Sequence, residues 1–440
     1  MATIDANPAS GTRDFLPAEV TRREQAFATI RRAFQGHGFE PLDTPAFERL
    51  EVLTGKYGEE GDQLIFKILR RGEHEATGEA DLALRYDLTV PLARVAARYG
   101  SQLPTPFKRY HIAPVWRADR PGKGRFREFF QCDVDTVGSD SLVADAATIH
   151  AVADVLDRLG LSGFRVQVNA RSALAGLIEA YGVPDALEGS ALVALDKLDK
   201  VGIDGVAAEL RERELPPAAV AALVADLGSE DLVGAVRERL ASTPRGVDGL
   251  GQVDRVLELV GQVPGGQVVY APVLARGLSY YTGPVFEVVH NGLDATIAAG
   301  GRYDGLIGMF QGADVPATGG SLGIERILLL LEAAEAEGQT VDGPAVLVTI
   351  LDDDGAADAL HLAQQLRDAG FDTDLFTGGG SRKLGKQLRY ADRRGARAAV
   401  IRGAEERAAG RVAVKDLASG DQASIPEADL IDHLGDLLGR

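Results

Sequence analysis

The chain has 440 residues, 45% hydrophobic and 25% charged, with a formal net charge of −18. That length supports two or three domains with real cores, and the composition excludes a disordered or disulfide-scaffold protein, since the single cysteine, Cys132, leaves no internal disulfide. The acidic surplus argues against indiscriminate nucleic-acid binding while leaving room for local basic surfaces.

The first residues, MATIDANPAS, lack the charged start and apolar stretch of a secretory signal. The longest aliphatic run, ILLLL at 327–331, is too short to span a bilayer. A cytoplasmic protein without membrane contact is expected. In chain order, the pattern predicts a helix from Thr21 to about Gln35, then a Gly-broken, Pro-containing extended segment, GFEPLDTPAFE. LALRYDLTVPLARVAARYG begins with alternation and turns helical after Pro91. Residues 107–138 read as a hairpin whose strands FKRYHIAPVWR and RFREFFQCDVDTVG flank the connection ADRPGKG. Most of 140–160 is helical. From 171 to 262 the chain is Ala/Leu/Glu-rich, which predicts an inserted helical unit. Strand character returns in GQVVYAPVLARGLSYYTGPVFEVVHNG, with a hairpin turn at Asn291-Gly292. The run GGSLGIERILLLLEAAEAE reads as a glycine stretch opening an amphipathic helix. After GQTVDGP at 338–344, strands AVLVTI, FDTDLF and ARAAVIR alternate with helices, which predicts a small α/β domain with a mixed or parallel sheet.

Two windows concentrate positive charge. Residues 108–127 carry seven Lys or Arg, and residues 378–403 carry eight. Taken with a strand's period of two, Arg125, Arg127, Phe129, Gln131, Asp133 and Asp135 share one face, and Phe126, Phe130, Cys132 and Val134 the other. Arg109, His111 and Arg117 share a face of the partner strand. One reading of this face is a structural ion-pair ladder. The other, preferred, is a site for a polyanion and a small polar molecule, since guanidinium forks grip phosphate and an aromatic stacks a base. The glycines before Arg326 suggest a second phosphate contact at a helix N-terminus. GSRKLGKQ at 380–387 nearly spells a P-loop, but Gln387 replaces the hydroxyl residue that would hold magnesium, and Leu384, Leu388 and Ala391 form an apolar stripe instead. Arg382, Lys386, Arg389 and Arg393 line another side of that helix, either solvated or facing RNA. The histidines at 37, 74, 111, 150, 290, 361 and 433 never reach metal-ligand spacing, and no Gly-x-Ser-x-Gly turn is present, so neither a protein metal site nor covalent catalysis is expected.

Together these segments resemble the class II aminoacyl-tRNA synthetases, and the histidyl-tRNA synthetase family in particular, over nearly the whole chain. SGTRDFLP at 10–17 is similar to that family's N-terminal signature, GFEPLDTPAFE to its dimer-forming motif 1, VWRADRPGKGRFREFFQCDVD to motif 2 and GGSLGIERILLLL to motif 3. ARGLSYYTGPVFE and GGRYDGL resemble its two histidine-specific blocks. The resemblance implies an α+β fold: a class II antiparallel sheet flanked by helices (1–170 and 263–337), interrupted by the helical insertion (171–262) and followed by an anticodon-binding α/β domain (345–440).

It also implies roles. Arg117 and Arg276 hold the α-phosphate of ATP, Arg326 its terminal phosphate, and Phe129 stacks on adenine with Arg125 also facing the nucleotide. Asp87, Leu88, Thr89 and Gln131 form the pocket for the amino group of L-histidine, with Arg117 and Arg276 adjoining. Asp135, Tyr280, Tyr281 and Tyr303 take its imidazole. Mg²⁺ travels with ATP, tRNA(His) is the acceptor and the enzyme is a homodimer. Two positions depart from the family pattern: Ser279 stands where Asp is frequent, and Asp119 where motif 2 usually has Glu. The rival implication is a catalytically inactive, synthetase-like regulatory subunit of ATP phosphoribosyltransferase, which typically lacks the last domain and the ATP arginines.

Overall fold

The basic hairpin supplies the second and third strands of an eight-stranded sheet in the computed structural model, which describes residues 4–122, 124–275, 280–335, 344–378 and 382–439. Its strands run Phe107–Trp116 and Glu128–Val137, paired antiparallel with Arg109 opposite Asp135 and His111 opposite Asp133. Beside the second strand lies Ala317–Gly323, then Leu293–Arg302, Pro284–His290, Phe164–Ala170 and Gly266–Tyr270. Glu40–Pro41 adds a short parallel edge at the other side. The sheet is antiparallel except for its two outermost pairings.

One face of this sheet is covered by helices Pro17–Gly36, Leu142–Arg158 and Ile324–Glu335. Proline opens the first of these, and the Glu19 carboxylate accepts from the Leu16 amide at 3.0 Å. Its buried residues Ala26, Phe27, Ile30, Ala33 and Phe34 recur at helical spacing. They meet Cys132, Val134, Val166, Phe286 and Leu322 from the strands. Each such aliphatic or aromatic side chain contributes roughly 1.5–3 kcal/mol on burial. The alternation read from the hairpin therefore holds, with Cys132 and Val134 in the core and Gln131, Asp133 and Asp135 on the opposite face.

The glycine stretch departs from expectation. It does not loop before a helix: residues Ala317–Gly323 form a strand in the sheet interior, pairing with both neighbours, and the helix starts at Ile324. Glycine is required because backbone and side chains crowd the position. A Cβ on Gly319 would sit 1.9 Å from the Asp135 carboxylate, and one on Gly320 would sit 2.8 Å from the Phe286 ring.

The insertion contains helices Arg171–Ala180, Asp185–Leu195, Leu198–Glu212, Pro217–Leu227, Leu232–Leu240 and Pro244–Val260 around a separate core of Leu174, Leu177, Val206, Leu210, Leu240 and Val253. Its last helix crosses the first at very close range. A Cβ on Gly249 would fall 2.1 Å from the Ala173 nitrogen, and one on Gly176 would fall 2.3 Å from that of Gly246. The same helix continues into the sheet core through Val256 and Val260, while Leu257 packs against both cores.

Residues beyond 335 form a second compact unit. Its five-stranded sheet is mixed: Thr373–Leu375, Val346–Val348 and Ala398–Ile401 run parallel, and Arg411–Asp416 and Gln422–Pro426 add an antiparallel hairpin that the sequence pattern did not predict. Gln387, which spoils the P-loop pattern, is buried. Its side chain accepts from the Ile350 amide at 2.9 Å and donates to the Ile350 carbonyl at 2.7 Å.

Candidate active site

The face of the hairpin turned away from the core floors a cavity of about 270 Å³. Four successive pocket-facing positions of one strand, Phe129, Gln131, Asp133 and Asp135, line it. At about 3.3 Å per residue they are spread over about 20 Å, so the cavity has two chemically different ends. The facing strands contribute little bulk: Gly319 lies opposite Asp135, Ser321 opposite Asp133 and Gly323 opposite Gln131.

At one end Phe129 shares the cavity lining with two guanidiniums, those of Arg117 and Arg326. The Arg117 guanidinium lies 5.2 Å from the Phe129 ring centre and 4.3 Å from that of Tyr86, and its Nε donates to the Tyr86 carbonyl at 3.0 Å. Arg326 enters from the first turn of the Ile324–Glu335 helix, with Nη1 donating to the Thr296 carbonyl at 2.5 Å. The start of that helix is anchored by Glu325, which is buried and bonded by Arg23 at 2.8 Å and by Arg13 at 2.6 Å.

The other end is a group of carboxyls and phenols. Asp135 is buried, accepts from the Tyr303 hydroxyl, and pairs with the fully buried Arg109 at 2.9 Å. Tyr280 packs against both Tyr303 and Tyr281, with ring centres 6.0 and 4.9 Å apart. Asp87 accepts from the Tyr57 hydroxyl and from the Val90 amide, both at 3.0 Å, at the start of the Thr89–Tyr99 helix. Burial raises the pKa values of Asp87 and Asp135, and it pushes Asp133 up to about 7 against the pull of Arg109. Tyr57, Tyr280 and Tyr303 are likewise raised by burial and stay protonated donors. On the neighbouring strand, opposite Asp133, His111 Nε2 lies 2.9 Å from Asp43, and burial with the nearby Arg109 and Arg85 lowers the ring to about 3, which keeps it neutral. Burial raises the Cys132 thiol, which lies on the core side and is no nucleophile.

Of the residues singled out from sequence, Asp87, Thr89, Arg117, Phe129, Gln131, Asp135, Tyr280, Tyr281, Tyr303 and Arg326 line the cavity. Two expected residues do not. Leu88 is buried in a small core with Ala113 and Val115 under Phe129, and its carbonyl accepts from Arg109 at 3.0 Å. Arg125 lies in the connection, its side chain 62% exposed and paired with Asp119 at 2.6 Å. Strand pairing ends at Glu128, so the alternation that put Arg125 on the pocket face no longer applies there. Arg276 and Ser279 lie outside the described residues.

Sequence reasoning passed over Ser321, Thr296 and Gly319 as site components, and it noted Asp133 and Arg109 only as sharing the face. Pairing the glycine strand with the hairpin would have revealed Ser321 and Gly319. Among the described residues, no group of three or more His, Cys, Asp or Glu is disposed to hold a metal ion, and no helix is long and apolar enough to cross a membrane.

Comparison with known proteins gives a consistent picture. The family profile described as Histidyl-tRNA synthetase matches residues 11–327, and the Anticodon binding domain profile matches 345–437. A histidine–tRNA ligase of Gloeobacter violaceus is 40% identical, with 95% of this chain and 96% of that protein covered. One of Rhodopirellula baltica is 39% identical, with 96% of each covered. The crystal structure of histidyl-tRNA synthetase from a Nostoc species superposes with a TM-score of 0.79 at 31% identity, covering 99% of this chain and all of that one. A Bacillus halodurans structure titled as an ATP phosphoribosyltransferase regulatory subunit/histidyl-tRNA synthetase gives 0.72 over 88% of this chain and 97% of its own. At 24% identity that likeness extends to the fold alone.

Proposed function

The chain belongs to the histidyl-tRNA synthetase family, and we propose that the two-ended cavity is where it joins histidine to ATP before charging tRNA. The enzyme is a histidine–tRNA ligase: it activates L-histidine to the adenylate with release of pyrophosphate, then transfers histidine to the 3′ end of its tRNA. In the first step the amino-acid carboxylate oxygen bonds the α-phosphorus and the bond to the β-phosphate's bridging oxygen breaks. In the second, a ribose hydroxyl of the terminal nucleotide attacks the activated carbonyl and AMP leaves.

The observation that carries the assignment is the polarity of the strand face. Adenylate formation needs no protein nucleophile; it needs alignment and fixed positive charge around the reacting phosphate. The end with Phe129, Arg117 and Arg326 suits a nucleotide, its ring stacked and its phosphates met by guanidiniums. The end with Asp135, Tyr280 and Tyr303 suits an imidazole, which offers both a donor and an acceptor. Arg276 would join the phosphate end, with Asp87, Thr89 and Gln131 at the amino group. Magnesium, borne on the nucleotide phosphates, would supply further counter-charge; no cluster among the described residues is disposed to hold it independently. Discrimination by buried polar partners reaches about 10⁴ or more without editing. The unit beyond 335, matched by the anticodon-binding profile, would read the far end of the tRNA. The homodimer and the cytoplasmic location belong to the same reading.

Pyrophosphate exchange measured with each of the twenty amino acids tests the assignment, with histidine expected to support it alone. Tight histidine binding without exchange at any magnesium concentration would instead favour a regulatory subunit. That rival fits this chain less well, because the anticodon-binding match and both cavity arginines are present.

A further inference from the structure

Asp133 is 2% exposed, lines the cavity, and leaves its Oδ1 without a hydrogen-bond partner among the described residues. Two residues along the same strand, the Gln131 amide donates to Ser321 Oγ at 3.0 Å, and its carbonyl Oε1 is likewise without a partner. Buried acceptors are rarely left unsatisfied, and a charged one is costly to leave so. The nearby cations do not supply the missing donors. Arg109 uses only Nη2, towards Asp135 and the Leu88 carbonyl, and its Nε and Nη1 make no hydrogen bond to Asp133 or to any other described residue; Arg117 Nε is held by the Tyr86 carbonyl. The cavity floor thus presents two adjacent, outward-facing acceptors, one of them a carboxylate. The complement is a compact cation with several N–H donors.

We propose that Asp133, with Gln131, binds the α-ammonium group of the amino-acid substrate and is a specificity-determining residue of this site. The inference rests on the reaction assigned above and adds a residue to it. Order along the strand favours the ammonium over the ring. Asp135, with Tyr303, occupies the position suited to the imidazole, and Phe129 marks the nucleotide end. The α-carbon of a bound histidine lies between its ring and its reacting carboxylate. Its ammonium group therefore falls beside the intervening positions, 131 and 133. Ser321, directly opposite Asp133, bonds both side chains and fixes their orientation.

The test compares two ligands by calorimetry on the full-length protein: histidinol, which keeps ring and ammonium, and 3-(4-imidazolyl)propanol, which lacks only the amine. Asp133→Asn should weaken histidinol roughly ten- to a hundredfold and the amine-free ligand less than about threefold. Equal loss for both ligands, or no loss for histidinol, overturns the proposal. If Asp133→Asn does not fold, the same pair is measured on Asp133→Ser; failure of both variants to fold marks a structural residue and also overturns it. A wild-type protein that neither binds histidinol nor exchanges pyrophosphate with histidine overturns the reaction assignment itself.

Discussion

Single side chains at the carboxyl end are expected to act on different substrates and on stability in separable ways. Asp135 lies at the end proposed for the ring and is held by Arg109 and Tyr303. Asp135→Asn keeps an acceptor oxygen for only one of these neighbours, turns an amide donor towards the other, and removes the charge offered to an imidazole N–H. The histidine KM in pyrophosphate exchange should rise about tenfold or more, with the ATP KM within about twofold. A shift confined to the ATP KM would place Asp135 in the nucleotide site. Asp133 carries a cost legible in pH. Its pKa is raised from 3.8 to about 7, mainly by burial, with Asp135 and Asp87 adding to the rise and Arg109 and Ser321 opposing it. A raised acid binds its proton more tightly in the folded state. Its stabilising protonation is complete below about pH 4 and is lost as pH climbs through about 7. In urea titrations the stability of Asp133→Asn relative to wild type should therefore increase between those limits and level off above, by roughly 1 kcal/mol or more. Parallel curves would mean that Asp133 ionises without penalty. A site that retains a destabilising carboxylate at neutral pH is consistent with one used for binding.

Among the elements, the glycine strand Ala317–Gly323 sets the depth of the pocket, because the residues opposite the carboxylates carry almost no side chain. Gly319→Ala would bring a methyl to 1.9 Å from Asp135 and 2.8 Å from the Val134 carbonyl. Thermal denaturation should show a loss of about 1–3 kcal/mol, and histidine exchange should fall with it. Gly36→Ala, in a helix end with nothing within 4 Å, is the control and should change stability by less than about 1 kcal/mol. An unaltered Gly319→Ala protein would show that the floor yields. This strand also marks the limit of what local pattern reveals. The hairpin was legible because alternation of Cys132 and Val134 with Gln131, Asp133 and Asp135 is a local record of two faces. The glycine run keeps no such record, since what makes glycine necessary is a carboxylate brought up by a distant strand. For Arg125 the record ends for the complementary reason: pairing stops at Glu128, so parity beyond it does not say which way the side chain points. Leu88 sits at a helix entrance, where an adjacent Asp87 and Thr89 say little about which way the residue between them points.

At the scale of the molecule, the cavity residues named above all lie in the unit ending at 335, while the anticodon-binding match lies in the other. Removing residues 345–440 should leave histidine-dependent exchange within about tenfold of wild type while lowering tRNA charging by ~100-fold or more. Equal loss of both activities in a folded truncation would refute this division. Within the first unit, the insertion raises a different matter. Its last helix touches the first through glycines at backbone range and runs on, unbroken, until Val256 and Val260 sit in the sheet core. Close-packed interiors pass strain along rather than absorb it. The insertion therefore behaves as a spar fixed to the sheet and not as a flap on a hinge. A pull on its outer helices would be felt at the Phe164–Ala170 strand, and through Pro284–His290 and Leu293–Arg302 at the wall of the cavity.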